Sequence, residues 1–224
     1  MNGLPRWRTI VLDVDSTLSG IEGIDWLASL RDAATVSAVE QMTNEAMAGR
    51  IALEQVYGRR LEAIRPTRSE LNRLAAEYRA RLAPGARDAV ERLCHGGVRV
   101  LVLSGGLRPA LLPMCLAIGI DDADVHAVDI TFTASGDYLR HEVTSPLTTQ
   151  GGKPALLAAL LATGDLPRPI LAVGDGTTDA ALRSVADAFC AFTGFVARPE
   201  VIARADFVIP DFSALLAHVF PLAQ

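Results

Sequence analysis

Residues 8–18 read RTIVLDVDSTL, a short run of β-branched and apolar residues that ends in acidic and hydroxyl residues. A continuous apolar run of this length is typical of a strand that is buried on both faces of a parallel sheet. Asp13 and Asp15 follow it two positions apart, a spacing that can aim both carboxylates at one site. Two such carboxylates repel each other unless a cation or a proton is shared. Because oxygen ligands suit Mg²⁺, the segment predicts a magnesium site at the end of this strand.

Similar apolar runs recur along the chain and alternate with stretches of helical pattern. The runs are VRVLVLSGG (98–106), ILAVGDG (170–176) and, more weakly, AFCAF (188–192) and FVIPD (207–211). The helical stretches between them cover residues 85–95, 107–118, 154–162 and 178–186. Alternation of this kind predicts an α/β fold with a doubly wound parallel sheet, whose ligand site lies at the carboxyl ends of the strands. DVDST, SGG and GDGTTD all fall at such ends.

Composition narrows the class of protein. The chain has 224 residues, of which 50% are hydrophobic and 21% charged, enough to bury a large core. Its net charge of −5, without a run of like charges, gives no reason to expect nucleic acid or a membrane as a partner. Three scattered cysteines form no disulfide framework, and the N-terminus lacks the pattern of a signal peptide. We therefore expect a cytoplasmic protein.

Residues 19–83 interrupt the alternation, because they contain no convincing strand and have the pattern of three or four amphipathic helices. The last of these helices begins with a capping box formed by Thr67 and Glu70. We expect residues 1–18 and 84–224 to form the catalytic core and residues 19–83 to form a helical cap that covers the site. Residues 129–143 alternate polar and apolar around Ser135 and Gly136, which predicts an antiparallel hairpin on the sheet edge.

The order of the motifs resembles that of one family. They are DVDSTL (13–18), EGID (22–25), EQMTNEAM (40–47), LSGG (103–106), GGK (151–153) and GDGTTDA (174–180). Over nearly its whole length the chain resembles the haloacid dehalogenase superfamily of phosphatases, and the blocks in the helical segment are similar to those of its phosphoserine phosphatase branch. The resemblance implies a Mg²⁺-dependent phosphatase that converts L-phosphoserine to L-serine and phosphate.

The resemblance also implies roles for the acidic residues. Asp13 would attack phosphorus and form an aspartyl phosphate. Asp15 would protonate the leaving oxygen and later activate water. The Mg²⁺ ligands would be the carboxylates of Asp13 and Asp175 and the backbone carbonyl of Asp15. Asp179 would orient these groups from the edge of the site or through a water molecule.

The phosphate would be held by Ser104, the backbone amide of Gly105 and the ammonium of Lys153, with help from the hydroxyl of Thr178. Glycine at position 105 allows the backbone to approach phosphoryl oxygens closely. Read alone, SGG is also an ordinary turn and Lys153 an ordinary surface lysine. Their place in the series of motifs favours the functional interpretation.

Substrate choice would lie in the helical segment. Glu22 corresponds to the family's contact to the substrate ammonium, and Arg60 to its contact to the substrate carboxylate, which suits the planar fork of arginine. Met47 and Leu53 correspond to apolar residues of the pocket. The family commonly has Pro-Phe where this chain has Ala52 and Leu53, so the pocket loses an aromatic wall.

The sequence also allows other interpretations. The Leu53 difference suits another small phosphorylated metabolite, and Arg60 with its neighbour Arg59 also fits a solvated helix face. A receiver-like signalling module would share Asp, Ser or Thr, and Lys at strand ends, but it would lack the insertion and the second aspartate, Asp15. The expected partner is a small phosphorylated amino acid or metabolite, and the expected assembly is a monomer or a homodimer.

Overall fold

The computed structural model describes residues 4–47 and 50–220, without the side chains of Asn44 and Met47. Within these ranges the strands are β1 (Thr9–Leu12), β2 (Arg99–Leu107), β3 (Val125–Val128), β4 (Ile130–Phe132), β5 (Tyr138–His141), β6 (Ile170–Gly174), β7 (Ala188–Phe192) and β8 (Phe207–Ile209). The helices are α1 (Gly23–Ala28), α2 (Ala33–Met47), α3 (Leu53–Ile64), α4 (Arg68–Ala80), α5 (Ala86–His95), α6 (Arg108–Ala117), α7 (Gly152–Ala162), α8 (Thr177–Ala180), α9 (Pro199–Ile202) and α10 (Phe212–Val219).

Six of the strands form one parallel sheet in the order β3-β2-β1-β6-β7-β8. The fully buried strand β1 lies inside the sheet and pairs with β2 on one side and β6 on the other. The chain runs outward from β1 through β2 to β3 and then returns to β6 beside β1. This reversal is the position where doubly wound sheets bind ligands. The predicted fold class is confirmed.

The core holds the ends of these strands in place. Side chains of the central strands, such as Ile10, Leu12 and Phe189, have no exposed surface. Burial of one such side chain contributes about 1.5–3 kcal/mol to stability. Polar residues that directly follow β1 and β6 therefore project from a rigid base.

Two local predictions about the sheet need correction. The hairpin predicted within residues 129–143 exists as β4 and β5, but these strands form a separate two-stranded sheet. The predicted position on the edge of the main sheet is wrong, because β3 occupies that edge. The sequence analysis missed β3, whose four residues, VHAV, include a polar histidine and make too short an apolar run to stand out.

Between β1 and α5 the described part of the chain contains the four helices α1 to α4 and no named strand, and this segment is called the helical insertion below. Its two connections to the sheet lie side by side. Ser19 forms a β-bridge with Leu82, and the backbone N–H of Gly20 donates to the carbonyl of Arg81 over 3.0 Å. The insertion is thus attached to the sheet through one paired crossing.

The predicted start of α4 is confirmed. Thr67 Oγ1 accepts a hydrogen bond from the backbone N–H of Glu70 over 3.2 Å, and the Glu70 carboxylate accepts from the backbone N–H of Thr67 over 2.8 Å. This reciprocal capping box satisfies two backbone donors that a helix start otherwise leaves unpaired.

None of the helices in the described part of the chain combines the length and the apolar character that a membrane crossing requires.

Candidate active site

A cavity of about 170 Å³ opens between the carboxyl ends of β1, β2 and β6 and the helical insertion, with room for one small molecule. The structure brings to this cavity every residue that the sequence analysis singled out except Met47, whose side chain lies outside the described residues. They are Asp13, Asp15, Glu22, Leu53, Arg60, Ser104, Gly105, Lys153, Asp175, Thr178 and Asp179.

Asp13 lies at the centre of the cavity floor, where it directly follows β1. Its backbone N–H donates to the carbonyl of Val173 in β6 over 3.0 Å, which continues the sheet ladder by one residue. Its carboxylate Oδ1 accepts a hydrogen bond of 2.7 Å from Lys153 Nζ. The side chain is 10% exposed and lines the cavity.

Lys153 joins Asp13 to Asp179. Its ammonium also donates to Asp179 Oδ1 over 2.6 Å, and both residues are buried. Burial disfavours the charged ammonium, but the two carboxylates outweigh it and raise the pKa of Lys153. Burial and the charge of Asp13 raise the pKa of Asp179 to about 6, against the opposite influence of Lys153. The lysine was expected just before a helix and instead lies in the first turn of α7.

Asp179 approaches the floor because two glycines make room. A Cβ added at Gly174 would lie within 2.5 Å of atoms of the Asp179 side chain. Asp179 Oδ2 accepts from the backbone N–H of Gly176 over 2.9 Å. With Lys153 on the other oxygen, both carboxylate oxygens of Asp179 have protein donors. This arrangement suits the predicted orienting role, which stays a prediction.

Three buried carboxylates can hold a metal ion. Asp13, Asp175 and Asp179 each place one oxygen so that all three lie within 4.8 Å of one another. Thr17 Oγ1 donates to Asp175 Oδ1 over 3.3 Å and orients it. A donor set of oxygen atoms alone is the one that hard divalent cations prefer. The residues present therefore fit a metal ion of this type.

Asp15 is held from the side of the helical insertion. Its Oδ1 accepts a hydrogen bond of 2.6 Å from the hydroxyl of Tyr78, and its Oδ2 accepts from the backbone N–H of Gly23 over 3.3 Å. Burial raises the pKa of Asp15 well above its usual range, the charges of Glu22 and Asp13 act in the same direction, and the hydrogen bonds from Tyr78 and Gly23 oppose them. A carboxyl group in this environment favours its protonated form, which a proton donor needs.

The carboxyl-terminal residues of β2 offer donors to an anion. Ser104 is buried, and its Oγ accepts from the backbone N–H of Gly106 over 3.0 Å, which leaves the hydroxyl proton to donate elsewhere. The carbonyl of Gly105 accepts a 2.7 Å hydrogen bond from Tyr57 of α3, so the helical insertion contacts this end of β2 directly. Thr178, at the start of α8, lines the same cavity.

Arg60 is buried at 8% exposure, so the solvated face considered for it is wrong, whereas its neighbour Arg59 is exposed. Its Nη1 donates to Thr43 Oγ1 over 3.1 Å, and Thr43 in turn donates to Asp25 Oδ1 over 3.1 Å. Within the described residues, Arg60 Nε is buried and has no acceptor. Arg60 also lines the cavity, so its cationic side chain is available to an anionic ligand there.

Glu22 also lines the cavity. Ser16 Oγ donates to its carboxylate over 2.6 Å, and Arg198 lies 4.0 Å away. Ser16 has a φ of 52°, a left-handed conformation that turns the chain sharply after β1. Burial raises the pKa of Glu22, the nearby charges of Asp13 and Asp25 act in the same direction, and Ser16 and Arg198 oppose them. A cationic ligand group would offset the cost of burying this carboxylate.

Leu53, the first residue of α3, is partly buried and packs against the hydrophobic core while it lines the cavity. Ala46 lines the cavity as well. The wall formed by Leu53 is therefore aliphatic, as expected from the difference in sequence.

The sequence analysis missed several residues of the site. Arg198 contacts the Asp175 carboxylate and donates to its backbone carbonyl over 3.3 Å. It follows β7 by six residues, so the rule that strand ends converge would have found it. Thr43 and Tyr57 lie on helices of the insertion, and helical periodicity alone does not reveal which of their residues face the sheet.

Comparisons with known proteins show the family of the chain. A family model described as haloacid dehalogenase-like hydrolase matches residues 10–184. The phosphoserine phosphatase of Bos taurus is 36% identical over 207 residues, which are 92% of this chain and 91% of the bovine protein. The phosphoserine phosphatase of Homo sapiens is 35% identical over 210 residues, 94% of this chain and 92% of the human protein.

Solved structures are similar as well. One described as a phospho-aspartyl intermediate analogue of phosphoserine phosphatase is 25% identical, with a TM-score of 0.79, and the match covers 95% of this chain and 98% of that one. A phosphoserine phosphohydrolase-like protein from Francisella tularensis has a TM-score of 0.82 at 24% identity, covering 94% and 98% of the two chains, and supports the fold.

Proposed function

The chain belongs to the family of haloacid dehalogenase-like hydrolases, and we propose that it hydrolyses L-phosphoserine to L-serine and inorganic phosphate. It is a phosphatase of this family, which works through an aspartyl phosphate. The observation that carries the substrate proposal is the buried guanidinium of Arg60, which lines the same cavity as Asp13. Such a donor suits a substrate carboxylate.

Asp13 is the nucleophile in this proposal. A carboxylate oxygen of Asp13 attacks phosphorus, and the bond from phosphorus to the ester oxygen breaks with its electron pair left on that oxygen. The proton that this oxygen needs comes from Asp15, whose surroundings favour the protonated carboxyl group. Water then attacks the phosphorus of the aspartyl phosphate and gives a proton to Asp15. Inorganic phosphate leaves, and Asp13 is restored.

The phosphoryl oxygens are held by donors that the fold has already positioned. Lys153 lies 2.7 Å from Asp13 Oδ1, so its ammonium is beside the position of the transferred group. The hydroxyl of Ser104 and the backbone amide of Gly105 contribute at the end of β2, and Thr178 contributes from α8. Donors that are fixed before the reaction stabilise developing charge without reorganisation.

Mg²⁺ is the metal that we propose for the carboxylate cluster. Asp13 and Asp175 would hold it with the backbone carbonyl of Asp15, while Asp179 keeps Lys153 in place. When bound, the cation neutralises negative charge on the phosphoryl oxygens.

The helical insertion acts as the cap in this proposal, and the core consists of residues 1–18 and 84–224. Arg60 binds the substrate carboxylate from one side, and Glu22 binds the ammonium from the other. Thr43 and Asp25 hold the Arg60 side chain through two hydrogen bonds of 3.1 Å. A ligand with both a carboxylate and an ammonium is recognised at both ends, which a sugar phosphate is not.

One observation favours a second candidate function. The aliphatic wall formed by Leu53 leaves the pocket without the aromatic side chain that the family commonly places there. A pocket without that ring accommodates a different or larger side chain, such as that of phosphothreonine or another small phosphorylated metabolite.

The test is phosphate release from a panel of esters with Mg²⁺ present. Phosphoserine, phosphothreonine, phosphoethanolamine, glycerol phosphate and two sugar phosphates are compared by kcat/KM. We expect phosphoserine to exceed phosphoethanolamine, which lacks the carboxylate, by roughly 100-fold, since a lost charge-assisted pair costs about 3 kcal/mol. Equal values for phosphoserine and the sugar phosphates would favour the second candidate.

A further inference from the structure

Tyr78 has a role that the proposed mechanism does not yet include. It lies near the end of α4, and its side chain has no exposed surface. Its hydroxyl donates to Asp15 Oδ1 over 2.6 Å, and its backbone carbonyl accepts from Ser19 Oγ over 3.1 Å. The residue is therefore attached to the core at both its backbone and the tip of its side chain.

The hydroxyl of Tyr78 occupies a space left by Gly23. A Cβ added at Gly23 would lie 2.1 Å from Tyr78 Oη, whereas a Cβ added at Gly106 would lie 3.4 Å from it, an ordinary contact distance. The phenol tip thus lies between α1 and the end of β2, against the site itself. Any side chain at Gly23 would displace it.

The chemistry of this contact favours a purpose beyond packing. Burial of a hydroxyl is unfavourable unless it is hydrogen-bonded, and phenylalanine would fill nearly the same volume without that cost. In residues 4–47 and 50–220, the only partner of the Tyr78 hydroxyl is Asp15. The benefit of the hydroxyl must therefore come through the carboxyl group of Asp15.

We propose that Tyr78 is a positioning residue for Asp15. By donating to Oδ1 over 2.6 Å, it fixes the rotation of the carboxyl group, and Oδ2, which accepts only the longer 3.3 Å bond from the backbone N–H of Gly23, is the oxygen that gives a proton to the ester oxygen. This inference rests on the proposed function, since it assumes that Asp15 transfers that proton. As the bond from Asp13 to phosphorus forms and the ester bond breaks, the Oδ2 proton moves to the departing alkoxide.

The effect of losing this contact depends on the leaving group. Serine is a poor leaving group that needs a proton, whereas p-nitrophenolate departs without one. General acid catalysis typically contributes about 100- to 10,000-fold to the reaction rate, and we expect the Tyr78 contact to supply part of this. Tyr78→Phe should therefore lower kcat/KM for the best alkyl phosphate of the panel by roughly 10- to 100-fold. For p-nitrophenyl phosphate the loss should be less than about threefold, because the proton contributes little there.

A matched control is Tyr138→Phe. It removes the hydroxyl of another buried tyrosine, whose partner is His141 Nδ1 at 3.3 Å in the β4–β5 hairpin. We expect both substrates to keep their kcat/KM within about twofold in this variant, because loss of a neutral hydrogen bond away from the reacting atoms leaves transition-state binding unchanged.

Gly23→Ala provides a second route to the same contact, because the added methyl group displaces the Tyr78 hydroxyl. It should give the same selective loss with the alkyl phosphate, and addition of Tyr78→Phe should cause no further loss. If Tyr78→Phe fails to fold, Gly23→Ala carries the comparison. Losses that are equal for the two substrates, or absent, would overturn the role of Tyr78 while the proposed function stands. A wild-type protein that hydrolyses no phosphate ester would overturn both.

Discussion

The ammonium of Lys153 lies 2.7 Å from Oδ1 of Asp13, although 140 residues separate the two in the chain. Lys153 is also the only lysine in a chain with 21 lysine and arginine residues. Arginine serves at every other cationic position, so the lysine here reflects a local need. Its compact ammonium fits between two buried carboxylates, where a planar guanidinium is too large.

Lys153→Met should therefore affect both catalysis and stability. We expect kcat to fall by roughly 100- to 1,000-fold for every phosphate ester, since a donor to the transferred group is lost. The free energy of unfolding should fall by about 3 kcal/mol, because Asp13 and Asp179 are left as unpaired buried charges. Steady-state kinetics and denaturant unfolding measure the two effects. Unchanged kcat would exclude Lys153 from the reaction.

Asp13→Asn should abolish phosphate release while the protein stays folded, because the amide is a far weaker nucleophile than the carboxylate. Phosphate release with saturating Mg²⁺ and circular dichroism report the two properties. The matched control is Asp129→Asn, the same change at an exposed position. Substantial activity in Asp13→Asn would contradict the aspartyl-phosphate mechanism for this chain.

Arg60→Ala should raise the KM for phosphoserine by roughly 100-fold, in line with a lost charge-assisted hydrogen-bond pair. For p-nitrophenyl phosphate, which has no carboxylate, KM should change by less than about threefold. Arg59→Ala tests the exposed neighbour on the same helix and should change neither value. Equal effects of Arg60→Ala on both substrates would remove Arg60 from the carboxylate site.

Removal of divalent metal should stop the reaction and lower the melting temperature. A chelator should abolish phosphate release, and Mg²⁺ in excess should restore it. In thermal unfolding, Mg²⁺ should stabilise the wild-type protein in a concentration-dependent manner, because a ligand of the native state shifts the equilibrium by RT ln(1 + [L]/Kd). In Asp175→Asn, the same rise in melting temperature should require at least a tenfold higher Mg²⁺ concentration. An identical shift in wild type and variant would exclude Asp175 as a ligand.

The capping box of α4 makes a pH-dependent contribution to stability. Arg31 donates two hydrogen bonds of 2.7 Å to the Glu70 carboxylate, and this contact lowers the pKa of Glu70 to about 2 from 4.5. The stabilisation is fully present above pH 4.5 and is lost as the pH falls towards 2. With solvent screening, Glu70→Gln should cost about 1–2 kcal/mol at pH 7 and little at pH 2.

Denaturant unfolding at pH 7, 4 and 2.5 measures this prediction. Glu62→Gln is the matched control, because Glu62 pairs with Arg65 at the surface, where the side chains are 57% and 60% exposed. Its effect should stay below about 0.5 kcal/mol at each pH. A constant difference between wild type and Glu70→Gln across this range would contradict the assignment.

The floor of the site could be predicted from the sequence because it depends on one rule. Asp13, Ser104 and Asp175 each end or follow a buried apolar run, and parallel strands place their carboxyl ends together. Leu53 and Arg60 needed more than this rule. Their assignment came from resemblance to a family, because no periodicity shows that Arg60 is buried and Arg59 exposed.

The parts of the fold and site that could not be predicted depend on how the elements pack against one another. Tyr78 contacts Asp15 only because α4 crosses the loop after β1, and Gly23 makes room for its hydroxyl. The strand β3 escaped prediction because its pairing with β2 stabilises it more than its own short sequence does. Contacts between elements that are distant in sequence leave no local pattern.

The paired crossing at Ser19 and Leu82 has a consequence for how such proteins diverge. The chain leaves and re-enters the core at one hydrogen-bonded point. The length and sequence of the helical insertion can therefore change while β1 and Asp13 keep their register. The insertion is in this sense an exchangeable module. In the proposed function, new substrates are acquired by replacing it, provided that the replacement again brings a hydrogen-bond donor to Asp15.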